Sequence, residues 1–432
     1  MTVAKSKSWS YQEACQYFPG GVNSPVRACC SVGIVPPVIS RAYRDLFFDH
    51  NDLKYIDFCG SWGSLIHGHC HPEILDAIIS SVSRGTSYGL TCEYEIAFAS
   101  YLFSVLNLSE HKIRFVSSGT EATMTAVRLA CAFSERKVVI KFAGCYHGHS
   151  DVLLSGTPIT QNNWHIVRDI VSSHSGSSLP LTLELPYNDV ITLQNVMEEI
   201  GERVACVIFE PVCANMGVVL PDEGFLDCIF EECRRFSSIS IMDEVVTGFR
   251  LGISDKNNSE NIPDLTVYGK ILGGGMPVAA LLGKDKIMKH LKPIGSVFQA
   301  GTLSGNPIAM AAGRASVRLC AQSGFYNRLD ELVEFFFLPI EKIIDTEHLP
   351  VSLVRTGSMF SFFFRSQAPR NLQEVLQSDS ELFRRFYSEV FVKGVYLSPS
   401  PVESSFISAA HSQEHLQYAQ NVLIESLLKV LQ

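Results

Sequence analysis

Short apolar runs punctuate the middle of the chain, at residues 113–116, 137–142, 204–209, 239–242 and 265–267. Several are uninterrupted rather than alternating, which predicts strands buried on both faces, as in a mainly parallel sheet. Residues 121–133 and 193–200 carry helical patterns between them and suit the crossovers of an α/β fold. The flanks read differently. Residues 10–18 predict a short helix with Ser10 and Glu13 spaced as a capping box, ended at Pro19-Gly20-Gly21. Turn signals and short β-type runs at 46–48 and 55–58 predict a small N-terminal sheet. Beyond 311, a helical stretch at 312–338 ends at Pro339, and a strand-like run follows at 357–364. A second capping box, Ser378 to Glu381, is expected to open a helix through Lys393. The expected organisation is an N-terminal arm (1–60), a large α/β domain (61–310) and a smaller α+β domain (311–432). Residues 155–180, rich in Ser, Thr, Asn and Gly, show no period and predict a mobile surface loop.

Composition narrows the class. A chain of 432 residues, 46% apolar and 18% charged, suits a well-buried enzyme of two or three structural units. A net charge of −9 without a long basic run argues against nucleic acid as partner. The 13 scattered cysteines include no C-x-x-C pair and point to reduced thiols in a cytoplasm. Lys5 and Lys7 precede no apolar stretch of the kind a secretory signal needs, and no run approaches a membrane span.

The chemistry gathers at strand ends. Asp243 closes one apolar run and Lys270 follows another, flanked by glycines. A lysine that forms a Schiff base and an acid that keeps a pyridine nitrogen protonated are what pyridoxal phosphate requires. Ser118-Gly119-Thr120 opens a helix after a strand, so its N–H and hydroxyl groups suit a phosphate. Taken alone, that turn is more simply an N-cap. Tyr146, in Gly144-Cys145-Tyr146-His147-Gly148-His149, is either a ring-stacking residue or a core tyrosine. Arg27 sits in a Pro/Gly loop, where a fork of donors can grip a carboxylate. The triplet His67-x-His69-x-His71 lacks a spaced carboxylate or cysteine framework and is read as a turn before a helix, so no metal is expected.

Together these segments resemble class III, fold-type I pyridoxal-phosphate enzymes. DEVVTGFR (243–250) and GKILGGGMP (269–277) mark that wider class, whereas GGVNSPVRA (20–28), GCYHGH (144–149) and AGTLSGNP (300–307) are similar to the glutamate-1-semialdehyde aminomutases within it. The resemblance implies pyridoxal or pyridoxamine 5'-phosphate as cofactor and a homodimer that shares its active site. It also implies contact with the enzyme supplying an amino-aldehyde substrate. Lys270 and Asp243 would be catalytic. Ser118, Gly119, Thr120, Tyr146, His147, Val245 and Thr302 would complete the cofactor site. Ser24, Arg27, Trp62 and Glu403 would bind substrate. The implied reaction moves an amino group within one molecule, giving 5-aminolevulinate for tetrapyrrole synthesis. An ω-aminotransferase or an amino-acid racemase would use the same lysine and acid, and a cofactor-free binding protein is a third possibility. The chain departs from the family's pattern at 155–180, at Ser64, at His67 and at Ser117.

Overall fold

The computed structural model describes residues 9–253 and 261–431; Lys5 and Lys7 lie outside them. The long apolar runs assemble into an eight-stranded sheet. Its order is His111–Val116, Ala279–Lys284, Leu265–Tyr268, Ile239–Glu244, Val204–Phe209, Val138–Phe142, Leu181–Leu185 and Thr157–Pro158. Neighbours run parallel except Ala279–Lys284, which is antiparallel to both of its partners. Every residue of Val204–Phe209 is buried, as an uninterrupted apolar run predicts. Val138–Phe142 is buried throughout as well, its one charged residue, Lys141, paired with Glu184 at 2.9 Å. The helix Gly119–Ser134 packs Ala122, Ala126, Leu129 and Ala130 into the same core as Ile208, Ile241, Val267 and Leu281. This is the expected α/β class.

The chain divides into two compact units. Pro72–Phe325 with Pro369–Glu374 forms the unit holding the large sheet, and Met1–His71, Tyr326–Ala368 and Val375–Gln432 form the other. In the second unit the strand Lys54–Asp57 pairs in parallel with Val395–Tyr396, joining the two ends of the chain in one sheet. A separate three-stranded sheet contains Ser352–Thr356, Met359–Phe363 and Ser405–Phe406. Phe58, Phe336, Phe337 and Phe360 stack into an aromatic core beside them.

Local expectations fared unevenly. The Ser10–Glu13 capping box opens the helix Tyr11–Tyr17. Three expectations need correction. Residues 312–338 are not one helix: Pro307–Cys320 and Phe325–Thr346 are separate, and Pro339 lies inside the second rather than ending it. Proline lacks the N–H that would bond the carbonyl four residues back. Here Gln420 Nε2 takes that role, donating to Phe335 O at 3.0 Å and to Phe336 O at 2.9 Å. The helix Ser380–Val392 is capped by Asp379, which accepts from Glu381 N and Leu382 N. Ser378 turns away, and its hydroxyl accepts from Phe364 N. Residues 155–180 are not a structureless loop. They include Thr157–Pro158 on the sheet edge and the helix Val167–Ser173, held by buried Val167 and Val171 one turn apart.

Candidate active site

Parallel strands present their carboxyl ends along one edge, where ligands of open α/β sheets bind. Val267 lies opposite Asp243 in the pairing of Leu265–Tyr268 with Ile239–Glu244, and Lys270 follows after the extended Gly269. Lys270 adopts the left-handed region, at φ 48°, which costs a non-glycine residue on the order of 1–2 kcal/mol. On the sheet's other flank, Ser118 caps Gly119–Ser134, its hydroxyl accepting from Glu121 N at 3.2 Å.

Val245 joins these turns. A Cβ added to Gly119 would stand 3.2 Å from Val245 Cγ2, and one added to Gly269 would stand 3.2 Å from Cγ1. The turn at 144–149 closes on the same helix. A Cβ on Gly148 would lie 2.5 Å from Thr120 Oγ1, and Thr123 Oγ1 donates to His147 O at 2.6 Å. Ser118, Gly119, Thr120, His147, Asp243, Val245 and Lys270 are thereby carried by adjoining turns at one end of the sheet.

Asp243 is buried, with His147 Nδ1 2.7 Å from its Oδ2 and Val245 N donating to its Oδ1 at 3.0 Å. Burial opposes charge on the imidazole. The hydrogen bond to Asp243, the nearness of Cys145 and the field of Asp243 outweigh that and raise His147 to about 10. The upward shift favours the charged form of His147 beside Asp243. Its buried Nε2 has no hydrogen-bond partner among the described residues. Tyr146 is half exposed, and Thr302 is exposed in a turn before Pro307–Cys320.

A carboxylate that sequence reasoning passed over stands behind this turn. Glu210 Oε1 accepts from Tyr146 N at 3.0 Å and Asn215 Nδ2 at 2.9 Å, and its Oε2 accepts from Ala214 N at 2.9 Å. Burial raises its pKa. The signal was present: Glu210 directly follows the apolar run 204–209, as Asp243 follows 239–242. Cys145 and Cys213, whose sulfurs lie 3.7 Å apart, were also passed over.

The other expected site residues belong to the second unit. Ser24 precedes the short turn Pro25–Ala28, on which Arg27 is exposed. Trp62 lies in Gly60–Gly63, four successive residues at φ 52°, 51°, 60° and 81° that form one left-handed turn. Asp57 Oδ1 accepts from Cys59 N and Gly60 N to start that turn. The buried Cys59 thiol is pushed up by burial, with the Trp62 backbone within hydrogen-bond reach of it and the field of Glu403 acting on it. Of the three histidines, His69 bonds Asp57 through Nε2 at 2.8 Å, while the rings of His67 and His71 meet edge-on.

Residues suited to pyridoxal phosphate are therefore in place. Gly119 and Gly148 make a close-approach cradle at the start of a 16-residue helix, beside a buried acid and a strand-end lysine. Residues 31–417 match the model of the class-III aminotransferases. The chain is 61% identical to the glutamate-1-semialdehyde 2,1-aminomutase of Chlamydia felis (strain Fe/C-56), over 99% of each chain. A solved transaminase with PLP bound superposes at a TM-score of 0.82 with 27% identity, covering 98% of this chain and 96% of that one. The crystal structure of a glutamate-1-semialdehyde-aminomutase from Pseudomonas aeruginosa PAO1 gives 0.83 with 24% identity, covering 98% and 94%.

Proposed function

The chain belongs to the class-III aminotransferase family, and on that premise we propose that it is a glutamate-1-semialdehyde 2,1-aminomutase. It converts (S)-4-amino-5-oxopentanoate to 5-aminolevulinate for porphyrin synthesis, an isomerisation with no external amino donor. The observation that carries this reading is 61% identity to an aminomutase over 99% of each chain, in a sequence that carries Lys270, Asp243 and the Ser118–Thr120 turn.

Pyridoxal phosphate, when bound, supplies the electron sink and the carried amino group. The chain supplies the rest. Ser118, Gly119 and Thr120 hold the phosphate at the positive end of a helix. A hydroxyl from Thr302 of the partner subunit completes that grip in a homodimer. The Asp243 carboxylate keeps a proton on the ring nitrogen, and His147 holds the carboxylate in place. Tyr146 and Val245 would pack against the cofactor's ring. Lys270 Nζ moves a proton between the two carbons that exchange the amino group. Arg27 and Ser24 take the substrate carboxylate, Trp62 walls the pocket, and Glu403 stands where a dicarboxylate-handling enzyme would want a cation. The working place is the bacterial cytoplasm, beside the enzyme that delivers the semialdehyde. Among the described residues no helix is long and apolar enough to cross a membrane.

The test is incubation of pyridoxamine-loaded protein with glutamate-1-semialdehyde and no other amino compound. Many turnovers to 5-aminolevulinate are expected. Turnover only after adding an amino donor or acceptor would make the protein an aminotransferase instead. Inversion of free amino acids without nitrogen movement would make it a racemase.

A further inference from the structure

The buried trio Cys145, Glu210 and Cys213 plays no part in the proposed reaction. It is the group of three metal-ligating side chains found among the described residues with all its donor atoms within 4.8 Å of one another. We propose that these three residues form a binding site for a thiophilic divalent cation of the zinc class.

Three observations support the site. The two sulfurs lie 3.7 Å apart. Two zinc–sulfur bonds of about 2.3 Å at a tetrahedral angle separate their sulfurs by roughly 3.8 Å, so both ligands already stand near the required spacing. The carboxylate is the third donor. Glu210 Oε1 accepts two hydrogen bonds, but Oε2 accepts only that from Ala214 N, leaving a lone pair for an ion. Those three donors orient the carboxylate as outer partners orient a metal ligand. Finally, the loop bearing Cys213 is stiff: Cys213 and Val219 exchange two backbone hydrogen bonds.

As thiols, Cys145 contacts Cys213 Sγ, and Cys213 donates to Gly144 O at 3.4 Å. Binding replaces these contacts. Two S–H bonds break, two metal–sulfur bonds form, and two protons leave to solvent with no change of oxidation state. A fourth position remains for water. Cys145 lies between Gly144 and Tyr146, so an ion here ties the Tyr146–His147 turn to the 211–219 loop. The site stands independently of the proposed reaction, since its ligands are fixed by geometry rather than by substrate.

The test uses full-length holoprotein equilibrated with zinc chloride, dialysed against a weak chelator and analysed for retained metal. Wild type is expected to keep one zinc per chain. Cys213→Ala and Cys145→Ala should each keep less than about a tenth of that, while the exposed-thiol control Cys15→Ser matches wild type. Cobalt in place of zinc should give sulfur-to-metal absorption that vanishes in Cys213→Ala. Asn215→Ala, which removes one donor from Glu210, should weaken zinc by about tenfold or more. Melting curves identify any variant that fails to fold, and Cys213→Ala and Asn215→Ala then decide the matter without Cys145→Ala. No retained zinc in wild type, or undiminished zinc in folded Cys213→Ala, overturns the proposal. Unchanged affinity in Asn215→Ala removes Glu210 from the ligand set and overturns it as stated.

Discussion

His147 Nδ1 lies 2.7 Å from Asp243 Oδ2, both side chains buried, and the pair fastens the 144–149 turn to the end of the strand Ile239–Glu244. Removing one partner of a buried pair leaves an uncompensated charge. His147→Ala should therefore cost about 3–5 kcal/mol in urea unfolding. The double variant His147→Ala/Asp243→Ala should fall well short of the sum of the two single losses. Additive losses would mean that the pair is not energetically coupled.

Lys270 holds a left-handed conformation that glycine adopts without strain. Lys270→Ala and Lys270→Gly should both abolish turnover and the covalent attachment of pyridoxal phosphate, read by borohydride reduction and mass. They should differ in stability. Lys270→Gly is expected to be the more stable by about 1 kcal/mol, since alanine keeps the strain. Equal melting temperatures would show that the backbone relaxes once the long side chain is gone.

Gln420 serves two carbonyls beside Pro339, one of which, Phe335 O, has no helical donor because proline lacks an N–H. Gln420→Leu should destabilise the protein by about 1–3 kcal/mol, the cost of unsatisfied buried acceptors. Pro339→Ala restores an N–H for Phe335 O, so in that background Gln420→Leu should cost measurably less. A double-mutant cycle measures the difference.

His411 is fully enclosed, and its Nδ1 accepts from Ser408 N at 3.0 Å. Burial, partly opposed by Asp45 and Asp57, lowers its pKa below 6.5. The folded protein thus keeps the ring neutral while the unfolded chain protonates it. Its contribution is complete above about pH 6.5 and is lost as the pH falls, by at most about 1.4 kcal/mol per pH unit. Unfolding free energies at pH 7 and pH 5.5 should show this loss in wild type and a smaller one in His411→Asn.

The parts of the fold that could be read from the chain are those where one residue pattern has one physical solution. The run at 204–209 is apolar throughout and is a strand buried along its whole length. Ala279–Lys284 escaped notice because Ala-Ala-Leu-Leu suits a helix as well as a strand, and only pairing with two strands settles it. The helix Val167–Ser173 was hidden by its polar neighbours, since two buried valines are too few to show a period. At the site, Lys270, Asp243 and the Ser118 turn were legible from strand-end chemistry. Glu210 carried the same strand-end signal but was passed over, because its role shows only in three donors brought from two other segments. Pro339 misled for a related reason. The residue that tolerates it, Gln420, is 81 positions away, so no local window contains both.

The pairing of Lys54–Asp57 with Val395–Tyr396 sets an order of events during synthesis. The first strands to leave the ribosome pair with one another, but Lys54–Asp57 gains its second neighbour only when more than three hundred further residues have been made. Pro72–Phe325 can close its sheet in that interval, because nearly all its strands and crossovers are contiguous. The early segment has to wait, with Phe47, Tyr55 and Phe58 short of their later ring partners until Phe336, Phe360, Phe391 and Tyr396 emerge. That waiting segment is the natural client for a chaperone. Chains released before about residue 396 would leave those rings uncovered and be the first to aggregate.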